Sequence, residues 1–145
     1  IGGVEEIKNK TKADILIHKD DKYLIEDANK NLSSMMSSPN VEIKADRHLE
    51  EGNIIKVGEL EIKLIHTPGH TPGGICLKVS DLLFTGDTLF ANSIGRTDFE
   101  GGSYEQIISS IKNKLLVFDD STKVLPGHGP ASTIGNERKR NPFLV

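Results

Sequence analysis

The sequence has little cysteine, few aromatic residues and no long apolar run. Its 145 residues include one cysteine, no tryptophan and 5% aromatic residues. A single thiol, Cys76, cannot form a disulfide within the chain, which excludes a disulfide-stabilised scaffold and leads us to expect a cytoplasmic protein with a buried, inert thiol. No stretch approaches the roughly 18 apolar residues of a membrane-spanning helix. We therefore expect no membrane partner.

The chain also lacks a strong excess of either charge. Its formal net charge is -3, and 36% of its residues are hydrophobic, with 14 glycines besides. A balance of this kind does not favour nucleic acid as a partner. The composition is in the range of ordinary globular proteins. We expect one globular domain over residues 1–145.

Three turns rich in glycine and proline each carry one candidate metal ligand. They lie at residues 67–73, 86–90 and 125–130, and they contain His70, Asp87 and His128. Two imidazoles and a carboxylate are the ligands of an open, hydrolytic, zinc-like centre. Each residue alone has a structural explanation, because a histidine or aspartate in a turn can bond to the backbone. Three in the same setting favour a metal site.

Each of these turns follows a short apolar segment that predicts a strand. The segments are residues 60–66, 82–85 and 123–125. Glycine after a strand lets another group approach closely, and proline stiffens the bend. We therefore expect His70, Asp87 and His128 to converge at one edge of a sheet.

The first part of the chain predicts less regular structure. We expect a short helix over residues 3–10 with Val4 and Ile7 on its inner face, then a strand over residues 13–18. Residues 29–44 are rich in Asn, Ser, Met and Pro and predict a long surface loop.

The second part predicts a hairpin, further strands and one amphipathic helix. The hairpin covers residues 53–66, and strands follow at 75–79 and 82–85. Ser103 with Gln106 three residues later forms a capping box, which predicts a helix from Ser103 to about Leu116. Lys112 and Asn113 should be exposed, while an apolar stripe packs on a sheet: Tyr104, Ile107, Ile108, Ile111 and Leu115.

Taken together, five motifs resemble the metallo-β-lactamase superfamily. Within it they are most similar to the small glyoxalase II-like hydrolases. The resemblance covers nearly the whole chain, and its motifs stand in the family's order: residues 66–74, 84–90, 94–99, 126–130 and 141–144.

This resemblance implies a fold, a metal centre and a reaction. The fold is an αββα sandwich, a mixed α/β architecture, with two divalent metal ions at one edge; zinc is favoured, with iron and manganese as alternatives. His70 matches a histidine of the first metal site, His128 a histidine of the second, and Asp87 the catalytic carboxylate that bridges both metals. The implied reaction is attack of a metal-bound hydroxide on a small-molecule thioester of the hydroxyacylglutathione type.

The chain departs from the family pattern at its start. The H-x-H-x-D-H signature, which supplies the other four ligands in the family, is not in the sequence. Residues 1–3 resemble the segment that directly follows that signature. We therefore expect an N-terminally truncated domain, about the C-terminal two-thirds of the family fold, that is inactive alone.

Other functions remain as alternatives. The turn at residues 95–99, Gly-Arg-Thr-Asp-Phe, is shared with iron-dependent persulfide dioxygenases, whereas residues 126–130 favour a hydrolase. A non-catalytic fragment or interaction module is a third hypothesis, which the missing signature supports. A true β-lactamase is less favoured because no secretory leader is seen.

Several polar residues near these motifs have simpler interpretations. We interpret His66 as structural and expect His18 and His48 to be solvated. Arg96 and Asp98 can form an ion pair that shapes their turn, or bind substrate. The basic run at residues 138–140 is interpreted as a solvated surface, with recognition of a substrate carboxylate as the alternative.

Overall fold

The computed structural model describes residues 1–35 and 40–145. It divides into two compact units, residues 1–49 and 50–145, which we describe separately. The single domain over residues 1–145 stays a prediction. Residues 36–39, within the predicted loop 29–44, lie outside the described part. None of the described helices is long and apolar enough to cross a bilayer.

The first unit contains short helices and a small parallel sheet. Its strands β1 and β2 pair in parallel, with Ile17 opposite His48. In chain order its elements are helix α1 (Val4–Thr11), strand β1 (Leu16–His18), a 3₁₀ helix (Lys19–Asp21), helix α2 (Lys22–Ile25), a 3₁₀ helix (Ser33–Met35) and strand β2 (Arg47–Leu49).

Two expectations for this unit are wrong. Helix α1 has no buried residue, and Ile7 is 61% exposed, because six of the eight residues of the helix are polar and only Val4 and Ile7 are apolar. His18 is buried rather than solvated. Its ring Nδ1 accepts a hydrogen bond from the backbone N–H of Asp20 at 3.3 Å, which replaces a contact with water. His48 is exposed, as expected.

The second unit is built on a six-stranded sheet and a separate two-stranded hairpin. The strand order in the large sheet is β10-β9-β6-β5-β4-β3, and the hairpin pairs β7 with β8. The strands are β3 (Ile54–Val57), β4 (Leu60–His66), β5 (Ile75–Val79), β6 (Leu82–Gly86), β7 (Leu89–Phe90), β8 (Ser93–Ile94), β9 (Lys123–Pro126) and β10 (Ser132–Thr133). The predicted hairpin and strands are confirmed.

Strand direction determines where the three turns with candidate ligands meet. Strand β5 is antiparallel to both β4 and β6, and β6 is parallel to β9. Strands β4, β6 and β9 therefore run in the same direction. Their C-terminal ends lie at the same edge of the sheet, where the chain continues into the three turns.

The helix predicted after Ser103 is present, with a change of geometry halfway. Helix α3 (Tyr104–Ser110) begins at Ser103, whose hydroxyl accepts a hydrogen bond from Gln106 N–H at 3.3 Å, and continues as a π-helix (Ile111–Leu115). Lys112 and Asn113 are exposed, as expected. Tyr104, at 53% exposure, does not belong to the buried stripe, and it is the first residue of the helix.

The core of the second unit lies between the sheet and its helices. Strand residues such as Leu83 and Val124 pack with Ile107, Ile111 and Leu115 of the helical segment. Cys76 lies in this core with no exposed surface, and desolvation raises the pKa of its thiol to about 11. The expectation of a buried thiol is confirmed, and its inertness stays a prediction that the raised pKa supports.

Helix α4 (Ile134–Arg140) was not predicted, although the sequence carries its signals. Thr133 caps it by accepting the N–H of Asn136 at 3.2 Å, and three basic residues end it. Arg138 is more than a solvated residue of the basic run. Its guanidinium donates to the carbonyl oxygens of Leu116 and Phe118 at 2.5 and 2.9 Å, just after the π-helix.

Truncating a core leucine tests this packing. Leu83→Ala removes a side chain with no exposed surface, and we expect the free energy of unfolding to fall by about 2–5 kcal/mol. The matched control is Leu60→Ala on the same sheet, because Leu60 is 55% exposed; its effect should stay within about 1 kcal/mol. Urea denaturation of the two variants checks this, and equal losses would contradict the assigned core.

Candidate metal centre

The structure brings the side chains of His70, Asp87 and His128 together. His70 Nε2 lies 3.7 Å from Asp87 Oδ2, and His128 Nε2 lies 3.6 Å from Asp87 Oδ1. Each oxygen of the carboxylate therefore faces a different imidazole. The expected convergence at one sheet edge is found, and the role of these residues as metal ligands stays a prediction.

The turn that carries His70 is packed tightly against helix α3. Gly69 has φ of 139°, and a Cβ atom there would lie 2.3 Å from the backbone nitrogen of Ile107. The Gly69 carbonyl accepts the N–H of Ser103 at 2.8 Å, and Ser110 Oγ donates to the Pro68 carbonyl at 2.9 Å. Only glycine permits this approach, so the helix holds the turn in place.

A backbone carbonyl orients the His70 ring. His70 Nδ1 lies 2.8 Å from the carbonyl oxygen of Arg96. A carbonyl oxygen only accepts hydrogen bonds, so Nδ1 carries a proton, and in the neutral form of the ring Nε2 then has the lone pair that faces Asp87. Metal-binding histidines are commonly fixed in this way by a hydrogen bond on the other ring nitrogen.

Glycines leave the space that Asp87 occupies. A Cβ atom on Gly127 would lie 2.8 Å from Asp87 Oδ1, and one on Gly95 would lie 1.8 Å from the Asp87 carbonyl oxygen. Gly86, directly before Asp87, has φ of 48°. Gly127 thus lies against the carboxylate, and Gly95 lies against the backbone carbonyl of the same residue.

His128 is the most exposed member of the group, with 75% of its side chain accessible. Its ring stacks on Phe90, with centroids 4.5 Å apart and an interplanar angle of 29°. No role for Phe90 was predicted from the sequence. Its place three residues after Asp87, in the motif at residues 84–90, was the available signal.

Arg96 and Asp98 form the ion pair that the sequence suggested. Arg96 Nε lies 2.6 Å from Asp98 Oδ1 and Nη2 lies 2.5 Å from Oδ2. The hydrogen bonds from Arg96 hold the pKa of Asp98 at about 2. The guanidinium also lies 4.2 Å from the ring centre of Phe99, whose ring in turn meets His70 edge-on at 5.4 Å. This turn therefore packs against the His70 ring.

A cavity of about 620 Å³ opens beside the three side chains. Its other walls are largely apolar and come from the hairpin β7–β8, the Arg96 turn and the segment after His128, including Phe90, Ile94, Phe99 and Pro130. A concave, mostly apolar pocket with a few polar groups at one end is typical of a small-molecule site.

Each of the two pairs that Asp87 forms with an imidazole fits a divalent metal ion. Zn–N and Zn–O bonds are about 2.0–2.2 Å, so two ligands of one ion lie at most about 4.2 Å apart. The separations of 3.7 and 3.6 Å between Asp87 and the two imidazoles satisfy this limit. Two nitrogens and a carboxylate also suit zinc, iron or manganese, so the donor set alone does not choose among them.

The other predicted residues lie in different settings. His66 Nε2 is 2.8 Å from the Pro72 carbonyl, a contact that supports its structural interpretation. No role was predicted from the sequence for Glu137 or Asn141, although Asn141 begins one of the five family motifs. Both are fully buried, and Asn141 contacts the hairpin that lines the cavity.

The family model of the metallo-beta-lactamase superfamily matches residues 1–128. The chain belongs to this superfamily. Members of the family bind divalent metals and include many hydrolases, so the match agrees with the resemblance that the five motifs carry.

Two curated relatives carry names that describe hydrolases. The probable metallo-hydrolase YqgX of Bacillus subtilis is 38% identical over 147 aligned residues, which cover 99% of this chain and 70% of that protein. The hydroxyacylglutathione hydrolase GloC of Haemophilus influenzae is 47% identical over 97 residues, 66% of this chain and 46% of that protein. The chain therefore spans 70% of the length of YqgX and less than half of the length of GloC.

Solved structures agree on the fold. BLEG-1, a B3 metallo-beta-lactamase, superimposes with a TM-score of 0.93 and 36% identity, covering 100% of this chain and 71% of that one. TTHA1623, solved in a di-iron-bound form, gives a TM-score of 0.84 and 32% identity, covering 99% and 71%. The expected mixed α/β fold of the metallo-β-lactamase type is confirmed.

The contact between Gly127 and Asp87 leads to a test of the metal centre. Gly127→Ala places a methyl group against Asp87 Oδ1 without requiring an unusual φ, and should turn the carboxylate away from His128. We expect the affinity for Zn²⁺ to fall about 10–100-fold, as for the loss of an outer-shell partner. Competition with a chromogenic chelator measures it.

The matched control is Gly3→Ala, where a Cβ atom meets nothing within 4 Å. Its zinc affinity should equal that of the unmodified chain. An unchanged affinity in Gly127→Ala would show that Asp87 does not bind the ion.

Proposed function

We propose that this chain contributes His70, Asp87 and His128 to the metal centre of a thioester hydrolase of the hydroxyacylglutathione type. The proposed cofactor is a pair of divalent ions, with zinc favoured. The proposed partner is a small-molecule thioester. We also propose a cytoplasmic location, which the single buried thiol supports.

The observation that carries the proposal is the placement of the Asp87 carboxylate between two imidazoles. Oδ2 faces His70 at 3.7 Å and Oδ1 faces His128 at 3.6 Å. One carboxylate oxygen directed at each histidine is compatible with a ligand shared by two ions. A residue that only capped its turn would have no need of both contacts.

The residues of the chain have separate tasks in this proposal. His70 and His128 would each supply a nitrogen ligand, and Asp87 would supply the carboxylate ligand that the two ions share. The ions, when bound, lower the pKa of water and polarise the acyl carbonyl. The Arg96 carbonyl holds the proton of the neutral His70 ring at Nδ1, which leaves Nε2 to bind an ion, and the apolar cavity receives the substrate beside Asp87.

The choice of a thioester rests on the five motifs and on the similarity to GloC, whose name states hydroxyacylglutathione hydrolase. The persulfide dioxygenase is the second candidate, since the turn at residues 95–99 is present and packs against His70 through Phe99. His128 favours the hydrolase, because its position opposite Oδ1 provides for a second ion. A non-catalytic module remains the third hypothesis.

Turnover tests the proposal. The 145-residue chain is compared with the same chain joined at its N-terminus to an H-x-H-x-D-H segment, both loaded with zinc or iron. We expect the extended protein to hydrolyse S-lactoylglutathione, and the 145 residues alone to show negligible turnover, because three ligands do not secure two ions about 3.5–4 Å apart. Nitrocefin hydrolysis and persulfide-dependent oxygen uptake are measured in parallel.

Variants of the extended protein assign the activity to the site. Asp87→Ala should lower kcat/KM by more than about 100-fold, since losing a shared ligand exceeds the effect of losing an outer-shell partner. Asp81→Ala is the matched control, because Asp81 is exposed in the turn between β5 and β6. Oxygen uptake without thioester hydrolysis would establish the dioxygenase, and no turnover of any substrate would favour the non-catalytic module.

A further inference from the structure

Glu137, on helix α4, is a buried acidic residue outside the candidate metal ligands. Of the aspartates and glutamates in residues 1–35 and 40–145, it is the one that is buried, with no exposed surface. Its neighbours Arg138 and Lys139 both pair with Asp120 instead. Burying a carboxylate is costly unless hydrogen bonds replace the lost water, so the donors around it define what it does.

Four donors satisfy the carboxylate, two on each oxygen. Oε2 accepts the backbone N–H of Asn92 and the side-chain amide of Asn141, both at 2.8 Å. Oε1 accepts the side-chain amide of Asn136 at 2.9 Å and the hydroxyl of Ser132. Hydrogen bonds to an ionised acceptor are about twice as strong as neutral ones. The four hydrogen bonds therefore hold Glu137 firmly, and we call this group of contacts the anchor.

The Oε2 side of this anchor holds the turn of hairpin β7–β8. Asn92, in the turn, has φ of 57°, an uncommon conformation for a residue with a side chain. Asn141 donates both to Glu137 and to the carbonyl of Ser93, the latter at 3.0 Å. Asn92 in the turn and Ser93 at the start of β8 are thus bonded to Glu137 of helix α4 and to Asn141, which caps its C-terminus.

The same hairpin contacts the candidate metal centre. Phe90, at the end of β7, stacks on the His128 ring at 4.5 Å, and Ser93 is the residue opposite Phe90 in the hairpin. His128 is largely exposed, so the Phe90 ring is a principal constraint on its orientation.

We propose that Glu137 is a positioning residue that orients His128 by fixing the hairpin and, through it, Phe90. The inference rests on the proposed function only in giving His128 a role as a ligand. The order of contacts is from Glu137 to Asn92 and Asn141, from these to the hairpin, and from Phe90 to the imidazole.

Glu137→Gln tests the proposal in the 145-residue chain. The replacement keeps the shape but turns one acceptor into an N–H₂ donor, which meets at least one N–H donor on either side of the carboxyl group. We expect the ring-proton NMR signals of His128 to move more than half of the way to their position in Phe90→Ala, which defines the unstacked state. The affinity for Zn²⁺ should fall about 10–100-fold.

Asn136→Ala is the matched control, because it removes a hydrogen bond to Oε1 without touching the hairpin. It should lower the melting temperature but leave the His128 signals in place. If Glu137→Gln behaves in the same way, with lower stability and unmoved His128 signals, Glu137 is merely structural and the proposal is overturned.

A second measurement does not depend on how well the variant folds. In the unmodified chain, hydrogen exchange of the Asn92 amide should be slower than that of the exposed amides, and free exchange would overturn the proposal. The NMR and exchange results need neither metal nor turnover. If they agree with the proposal while no variant binds zinc, the proposed function fails and the positioning role stands.

Discussion

The Asp87 carboxylate depends on a close approach of backbone that only glycine allows. Gly95 and Gly127 lie so near that a methyl group on either would meet atoms of Asp87, and Gly86 turns the chain immediately before it. Because strands β6 and β9 are parallel neighbours, Gly127 N–H also donates to the Gly86 carbonyl at 2.8 Å. The two strand ends are thereby locked together, and Asp87 is directed towards both imidazoles.

The surroundings of the two histidines differ in rigidity. His70 belongs to a turn that is packed on helix α3, and its ring is held by the Arg96 carbonyl. His128 follows β9 into solvent and is constrained by stacking on Phe90. In the proposed centre, His70 and Asp87 therefore form the prearranged part, whereas His128 depends on the hairpin β7–β8 and on its anchor at Glu137.

Sequence patterns predicted the parts of this structure that depend on local chemistry. Strands β4, β6 and β9 and the turns that follow them were readable from apolar segments ending in glycine and proline, and Ser103 marked the start of helix α3. Tertiary contacts set the rest. His18 is buried although its neighbours are charged, and Arg138 bonds to carbonyls after a π-helix that no sequence pattern indicated. The role of Glu137 was not predicted because it depends on a hydrogen bond to Asn92, 45 residues earlier in the chain. The local sequence of a helix does not indicate such a distant contact.

Zinc titration followed by the ring NMR signals of the five histidines shows whether His70, Asp87 and His128 bind metal as one centre. We expect the signals of His70 and His128 to move together, at the same zinc concentration, while that of the exposed His48 does not move, and we expect Asp87→Asn to abolish the joint response. Independent movement of the His70 and His128 signals, or a joint response that survives in Asp87→Asn, would show that the three residues do not form one metal centre.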